Sequence, residues 1–244
     1  MNKIFSIIII SILLGIPSTI FAADSASDVR INKFELVWSA DTYTPYNYQG
    51  RNLPIVGSKV IISPIISASG GDAKSLKYSW FLEDIFQQNK SGYGKDSFYF
   101  YVQQGPGAYH TVRLQIFNDD RTVFEEKSIQ IPIAEPEIIF YSSNGNSHFS
   151  NQASTIYSVL ADKTFSFVAR PYFFSITKLT DLIFEWTFSG KKSIISSDYD
   201  ASIFNLTISN KDSRQTTESN LWVNVKNTLD ETQKAFKSMK INIY

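Results

Sequence analysis

The sequence predicts an all-β protein: two tandem β-sandwich domains behind an N-terminal secretory signal. Three observations carry this. Apolar and polar residues alternate with a period of two along run after run, the pattern of a half-buried antiparallel strand. The second half of the chain repeats blocks of the first in the same order. The first 22 residues have the layout of an export signal.

The signal comes first in the chain. Lys3 supplies a positive start, and Ile4 to Ile16 is almost unbroken apolar sequence with only Ser6 and Ser11 interrupting. Pro17 and Ser18 break the run, and Ala22 offers a small residue before a cut. Cleavage there leaves no membrane span. The stretch Ile4 to Ala23 is also long enough to serve as an anchor if it is kept. The expected product is exported, to the envelope or beyond it.

Strands dominate the remainder. Phe34, Leu36 and Trp38 alternate with polar or outward neighbours, as do Leu76, Tyr78 and Trp80, then Val112, Leu114 and Ile116, then Ile129, Ile131 and Ile133. Phe98, Phe100 and Val102 share one face, and Tyr99 and Tyr101 the other, where cross-strand packing is expected. Turn residues fall between the runs: Gly57-Ser58, Gly70-Gly71-Asp72, Gly92-Tyr93-Gly94, Asn118-Asp119-Asp120, and Gly105-Pro106-Gly107, which reads as a hairpin. Asp230 to Phe236 reads as a helical turn or a hairpin tip.

The repeat follows from matched blocks. Lys127-Ser-Ile-Gln-Ile-Pro-Ile133 answers Lys237-Ser-Met-Lys-Ile-Asn-Ile243. Leu76-Lys-Tyr-Ser-Trp80 answers Leu182-Ile-Phe-Glu-Trp186, and the segment 112–118 answers 221–227. Pro64 precedes Trp80 by 16 residues and Pro171 precedes Trp186 by 15, so the spacing repeats with the blocks. The expected division is a signal over 1–22, one sandwich over 23–134 and a second over 135–244, joined at Ala134-Glu135-Pro136 by a linker short enough to be semi-rigid. About seven strands per copy, with one mid-domain tryptophan each, indicate immunoglobulin-like sandwiches. Trp80 and Trp186 are the expected core centres. The chain has no cysteine, so no disulfide lies against them and neighbouring aliphatics are expected to fill that volume.

Tyr78-Ser-Trp80, and Gly107-Ala-Tyr109 followed by Val112, Leu114 and Ile116, resemble the strand motifs of polycystic-kidney-disease-type (PKD) and related bacterial immunoglobulin-like domains. One extra residue separates Tyr109 from Val112, which predicts a β-bulge. The family's Phe-Gly-Asp-Gly is replaced by Phe81-Leu-Glu-Asp84 and Phe188-Ser-Gly190. The segments Trp38 to Pro54, Ser91 to Lys95 and Arg170-Pro-Tyr-Phe-Phe-Ser175 are also similar to uncharacterised exported proteins of candidate-phyla bacteria. That resemblance implies the architecture and a bacterial origin, and brings no activity.

Composition narrows function by exclusion. Lys plus Arg and Asp plus Glu both number 23, a balance that argues against nucleic acid or an anionic membrane as partner. Without cysteine there is no thiol catalysis and no Cys–zinc site. His110 and His148 are the only histidines and form no metal-ligand pair, and no Gly-x-Ser-x-Gly elbow is present. Ser175 to Lys178 and Ser189 to Lys192 match Ser-x-x-Lys but fall in strand or turn sequence. Asp41, Asp84, Asp96 and Asp198 are the carboxylates a glycosidase would draw on, with no cleft indicated. Calcium candidates are Asp198 with Asp200, placed on one strand face, and the turn pair Asp119-Asp120. No cofactor is expected.

One segment points toward recognition. Tyr43, Tyr46 and Tyr48, with Arg51, crowd a Pro- and Gly-containing loop between the first two strands. Tyrosine gives large amphipathic contact at low entropic cost. The opposing expectation is that these rings lie over the end of the sandwich and cover its core. The sequence therefore predicts a non-catalytic secreted or cell-surface binding or structural module, of adhesion or envelope-assembly type, with a protein or glycan partner. A carbohydrate-binding accessory module and a secreted hydrolase are the alternatives.

Overall fold

The period-two alternation becomes sixteen strands in a computed structural model of the chain, which describes residues 29–143, 149–150, 152–160, 162–195, 200–209 and 217–244. The signal segment, His148 and Asp198 lie outside the described residues. Among the described residues no helix is long and apolar enough to cross a membrane.

The first sandwich contains β1 (Arg30–Ala40), β2 (Lys59–Ser69), β3 (Lys77–Leu82), β4 (Ile85–Phe86), β5 (Gly92–Tyr93), β6 (Phe98–Tyr101), β7 (Tyr109–Phe117) and β8 (Phe124–Pro132). One sheet has the order β1-β2-β6. The other has β4-β3-β7-β8, with β5 also on β3. The second sandwich contains β9 (Glu137–Ser143), β10 (Ile156–Val159), β11 (Thr164–Tyr172), β12 (Leu182–Phe188), β13 (Lys191–Ile195), β14 (Ile203–Thr207), β15 (Thr217–Asn227) and β16 (Lys234–Ile243). Its sheets run β14-β11-β9 and β10-β16-β15-β12-β13, with β10 parallel to β16. Among the described residues no sheet mixes strands from the two sets, and each pair of sheets encloses its own buried apolar cluster. These are immunoglobulin-like β-sandwiches.

The sequence repeat is a repeat of register. Trp80 faces Leu114, which faces Lys127. Trp186 faces Val223, which faces Lys237. Both tryptophans are fully buried. Each indole N–H donates to a backbone carbonyl 15 residues onward, Lys95 at 2.8 Å and Ala201 at 3.1 Å. Each ring is stacked on a phenylalanine of the opposite sheet, Phe98 at 5.4 Å and Phe204 at 5.2 Å. A phenylalanine ring therefore joins the aliphatic side chains of each buried cluster in filling the space around the indole. A stacked ring covers one whole face of the indole in a single contact.

The β3–β4 and β12–β13 turns repeat as well. Both have two residues at positive φ, Glu83 and Asp84 in one and Ser189 and Gly190 in the other, as a two-residue hairpin of mirror-image type requires. Glu83 is held there by its carboxylate, which accepts from Thr111 N (3.2 Å) and lies 2.8 Å from His110 Nδ1.

Two local expectations are corrected. β7 pairs with β8 without a register break, so there is no bulge after Tyr109. Tyr109 points outward and His110 takes the inward position, edge-on to Phe100. The irregularity lies instead in β1, between Ile31 and Lys33. The Gly105-Pro106-Gly107 turn is not a hairpin either: it carries the chain from β6 in one sheet to β7 in the other. Gly107, at φ 81°, allows that crossing.

Residues 228–233 form the tip of the β15–β16 hairpin, the second of the two forms expected there. Asp230 organises it, accepting from Thr232 Oγ1 (2.6 Å), Thr232 N (3.0 Å) and Gln233 Nε2 (3.1 Å). These donors, the Thr232 hydroxyl foremost, hold its carboxyl below the usual aspartate value. A depressed folded value means that the stabilisation is present above the ordinary aspartate range and is lost as pH falls through the folded value. Asp230→Ala is expected to cost about 1 kcal/mol at neutral pH. The difference from the native chain should shrink below roughly pH 4. Urea midpoints at the two pH values check both statements.

Candidate binding site at the junction of the sandwiches

The segment between β1 and β2 is tied at its base. Thr42 Oγ1 donates to Leu53 O (2.9 Å), Asn52 Nδ2 to Thr42 O (2.6 Å) and Thr44 Oγ1 to Asn52 Oδ1 (2.9 Å). A turn closed by Tyr48 N to Pro45 O (2.9 Å) forms its apex. This loop does not lie over its own sandwich end as a free flap. Tyr43 N donates to Phe174 O and Phe173 N to Tyr43 O, both at 2.7 Å, an antiparallel bridge into the second sandwich. The loop is thus the clasp between the two halves.

The predicted residues separate here. Tyr48 turns inward, with its ring edge-on to Tyr172 (5.5 Å) and Phe173 (5.9 Å). Gly50 makes this possible, since a Cβ there would lie 2.3 Å from the Tyr48 ring. Arg51 lies over the Trp38 ring at 4.6 Å, a cation–π contact within the first sandwich. Tyr46 is 97% exposed at the apex. Tyr43, half-buried, and Tyr46 line one wall of a groove of about 230 Å³ together with Pro45. The second sandwich supplies the other wall, including Phe149, Arg170 and Asp200.

Charge in the groove is arranged by its own neighbours. The Arg170 guanidinium sits 4.8 Å over the Tyr141 ring, and its Nη1 donates to Asn47 Oδ1 at 3.2 Å. Asp200 is not on a strand face as expected. It lies in the turn before β14, where its carboxylate accepts from the Ser202 N–H and hydroxyl. Burial raises the Tyr43 phenol above its ordinary value, with Arg170 opposing and Asp200 adding to the rise. The Tyr43 hydroxyl therefore stays protonated, a donor, throughout the neutral range.

The other carboxylates have local duties. Asp119 binds Lys77 and the Tyr93 hydroxyl, which hold its carboxyl below the usual range, and Asp120 accepts from the Thr122 N–H. Asp41 accepts from Lys59 N, and Asp84 pairs with Arg113. Among the described residues no three acidic or histidine side chains gather as a metal site. Tyr99 packs edge-on to Tyr101, with Lys59 and Lys90 over its ring.

Arg170 is the charged groove residue that sequence reasoning missed, together with Asn47, the acceptor that holds its guanidinium. A signal was present: 38–54 and 170–175 are two of the stretches that carry the resemblance to exported proteins, and they meet here.

No sequence-family model matches the chain, and no curated protein does. Among solved structures it is similar to the three N-terminal domains of the highly immunogenic outer capsid protein of bacteriophage RB49. The identity is 12% and the TM-score 0.44, covering 86% of this chain and 59% of that one. It is also similar to the fibronectin(III)-like modules of Clostridium thermocellum CbhA, with 10% identity and a TM-score of 0.28, covering 88% of this chain and 93% of that one. The class is therefore that of the sheet topology itself: tandem immunoglobulin-like β-sandwiches.

Proposed function

We propose that the chain is an exported, non-catalytic binding module that uses the junction groove to hold a protein partner at the cell surface or envelope. The observation that carries this is the groove's composition: Tyr43 and Tyr46 on one wall, Arg170 and Asp200 on the other. Small-molecule pockets run to roughly 300–1,000 Å³. A groove of about 230 Å³ is smaller. It suits one side chain of a polymer that continues over the open rim. Opposite charges beside aromatic rings match a polypeptide segment, which presents donors, acceptors and apolar side chains together.

Tyr46 is the strongest anchor, because a ring that is fully exposed when free has the most area to bury on binding. The chain from Ala23 and its Tyr46→Ser variant serve as baits against the producing organism's envelope and surroundings. A protein recovered only by the native bait is expected. With the recovered protein purified, Tyr46→Ala should weaken binding by about 2 kcal/mol, roughly thirtyfold. Equal recovery by both baits sinks the groove as the site. Recovery of glycan alone moves the reading to a carbohydrate-binding accessory module.

A further inference from the structure

We propose that the outer face of the larger sheet of the second sandwich carries a second site, a shelf for uncharged saccharide centred on Trp222. Of the four tryptophans, Trp80 and Trp186 are wholly buried and Trp38 nearly so, whereas Trp222 is 44% exposed. It sits on the outward side of β15, braced by the edge of Phe236 at 5.9 Å. Beside it lies a depression of about 320 Å³, lined by Thr187, Ser189, Glu218, Ser219, Asn220 and Trp222. That is larger than the junction groove. It shares no residue with that groove, whose second-sandwich wall comes chiefly from β11 and the turn before β14 in the other sheet, whereas the shelf is built on β12, the turn after it and β15.

A lone exposed aromatic needs no explanation. The surroundings give this one a purpose. Apart from the indole, the side chains that line the depression are hydroxyls, an amide and a carboxylate. Hydroxyls and amides both donate and accept, as sugar hydroxyls do. The Glu218 carboxylate is met by Lys240 Nζ at 2.8 Å, so that carboxylate is balanced within the protein rather than offered to an ionic ligand. The Ser189 hydroxyl donates to Ser219 Oγ at 3.0 Å, and an apolar peptide side chain laid over this rim would cut Thr187 and Asn220 off from water with nothing in return. A sugar ring lays its C–H face on an indole and its hydroxyls on the rim.

The internal repeat supplies a control. The first-sandwich counterparts of Trp222, Phe236 and Thr187 are Arg113, Glu126 and Phe81. There the Arg113 guanidinium covers Phe81 at 4.0 Å and is paired to Asp84 and Glu126. The same fold position is closed by the protein's own side chains in one copy and open in the other. The fold alone therefore does not require an exposed indole at this place.

The test is a titration of the chain from Ala23 with neutral hexasaccharides of glucose, xylose, mannose and N-acetylglucosamine. Tryptophan emission and calorimetry follow binding. A sulfated oligosaccharide and an apolar peptide are run beside them. At least one neutral sugar is expected to give saturable binding with a blue shift, since Trp222 is the one indole positioned to report contact. Calorimetry should show roughly tenfold or greater weakening for Trp222→Ala. Trp222→Tyr should retain binding, Asn220→Ala should weaken it, and Tyr46→Ser should leave it unchanged. No saturable binding to any neutral sugar overturns the proposal. So does unchanged binding by Trp222→Ala, loss in Tyr46→Ser instead, or preference for the sulfated sugar or the peptide.

Discussion

Trp80→Ala is expected to destabilise the first sandwich by about 3–5 kcal/mol, and Trp186→Ala the second by a similar amount. Each indole is wholly buried, so its removal leaves a large void lined by neighbours that interlock across both sheets. Each also satisfies a backbone carbonyl, that of Lys95 or Ala201, which loses its donor. The stacked phenylalanine loses a partner at the same time. A domain holds only about 5–15 kcal/mol in all. One substitution therefore removes a large share of one sandwich's stability. Because each tryptophan belongs to its own buried cluster, the effect should fall on one sandwich. Calorimetry should show a single unfolding event split into two, with only the mutated half shifted to lower temperature. Trp80→Phe keeps a ring and loses the N–H, so it should cost distinctly less than Trp80→Ala. A loss under about 1 kcal/mol in either alanine variant would refute the core assignment.

The tryptophans were legible in the sequence because a strand with one buried face prints its period directly. Leu76, Tyr78 and Trp80 alternate, and each proved buried. Repetition reinforced this, since matched blocks turned out to be matched strands in the same register. Phase was harder to read than period. Tyr109 and His110 are adjacent, and only the continuous pairing of β7 with β8 shows which faces inward. The connection at Gly105-Pro106-Gly107 has turn chemistry common to hairpins and to sheet crossings, so its residues did not separate the two. The candidate groove was half legible. Tyrosines crowded into one loop mark a contact surface, but Arg170 reaches it from a strand more than a hundred residues away, and no local pattern encodes that meeting. Phe173 shows the same limit. It follows a segment that reads as plain strand, yet it adopts φ 64°, a left-handed conformation that a bulky residue holds only when its surroundings demand it.

Those surroundings yield the second large effect. Ile55→Asp is expected to part the two sandwiches while leaving each folded. Ile55 is 1% exposed in a small apolar cluster with Tyr172 and Phe173 of the other sandwich, flanked by Tyr48, Leu53 and Ala134. Ala134 N also donates to Pro54 O at 2.8 Å, which binds the linker against the clasp. An unpaired carboxylate in such a cluster costs several kcal/mol if it stays buried. Separation offers a cheaper outcome, because water then solvates the charge and Phe173 is freed from a strained conformation worth about 1–3 kcal/mol. The loss should therefore saturate at the strength of the clasp, about 3 kcal/mol, and leave the separate cores intact. Circular dichroism should be unchanged, while small-angle scattering reports a larger radius of gyration and protease cuts near Glu135. The variant also distinguishes the two proposed sites. The junction groove needs walls from both sandwiches, so protein binding through Tyr46 should be lost with the clasp. The Trp222 shelf is built from the second sandwich alone, and its saccharide binding should survive. Unchanged scattering with intact groove binding would show that the bridge between Tyr43 and Phe174 holds the halves without the apolar cluster.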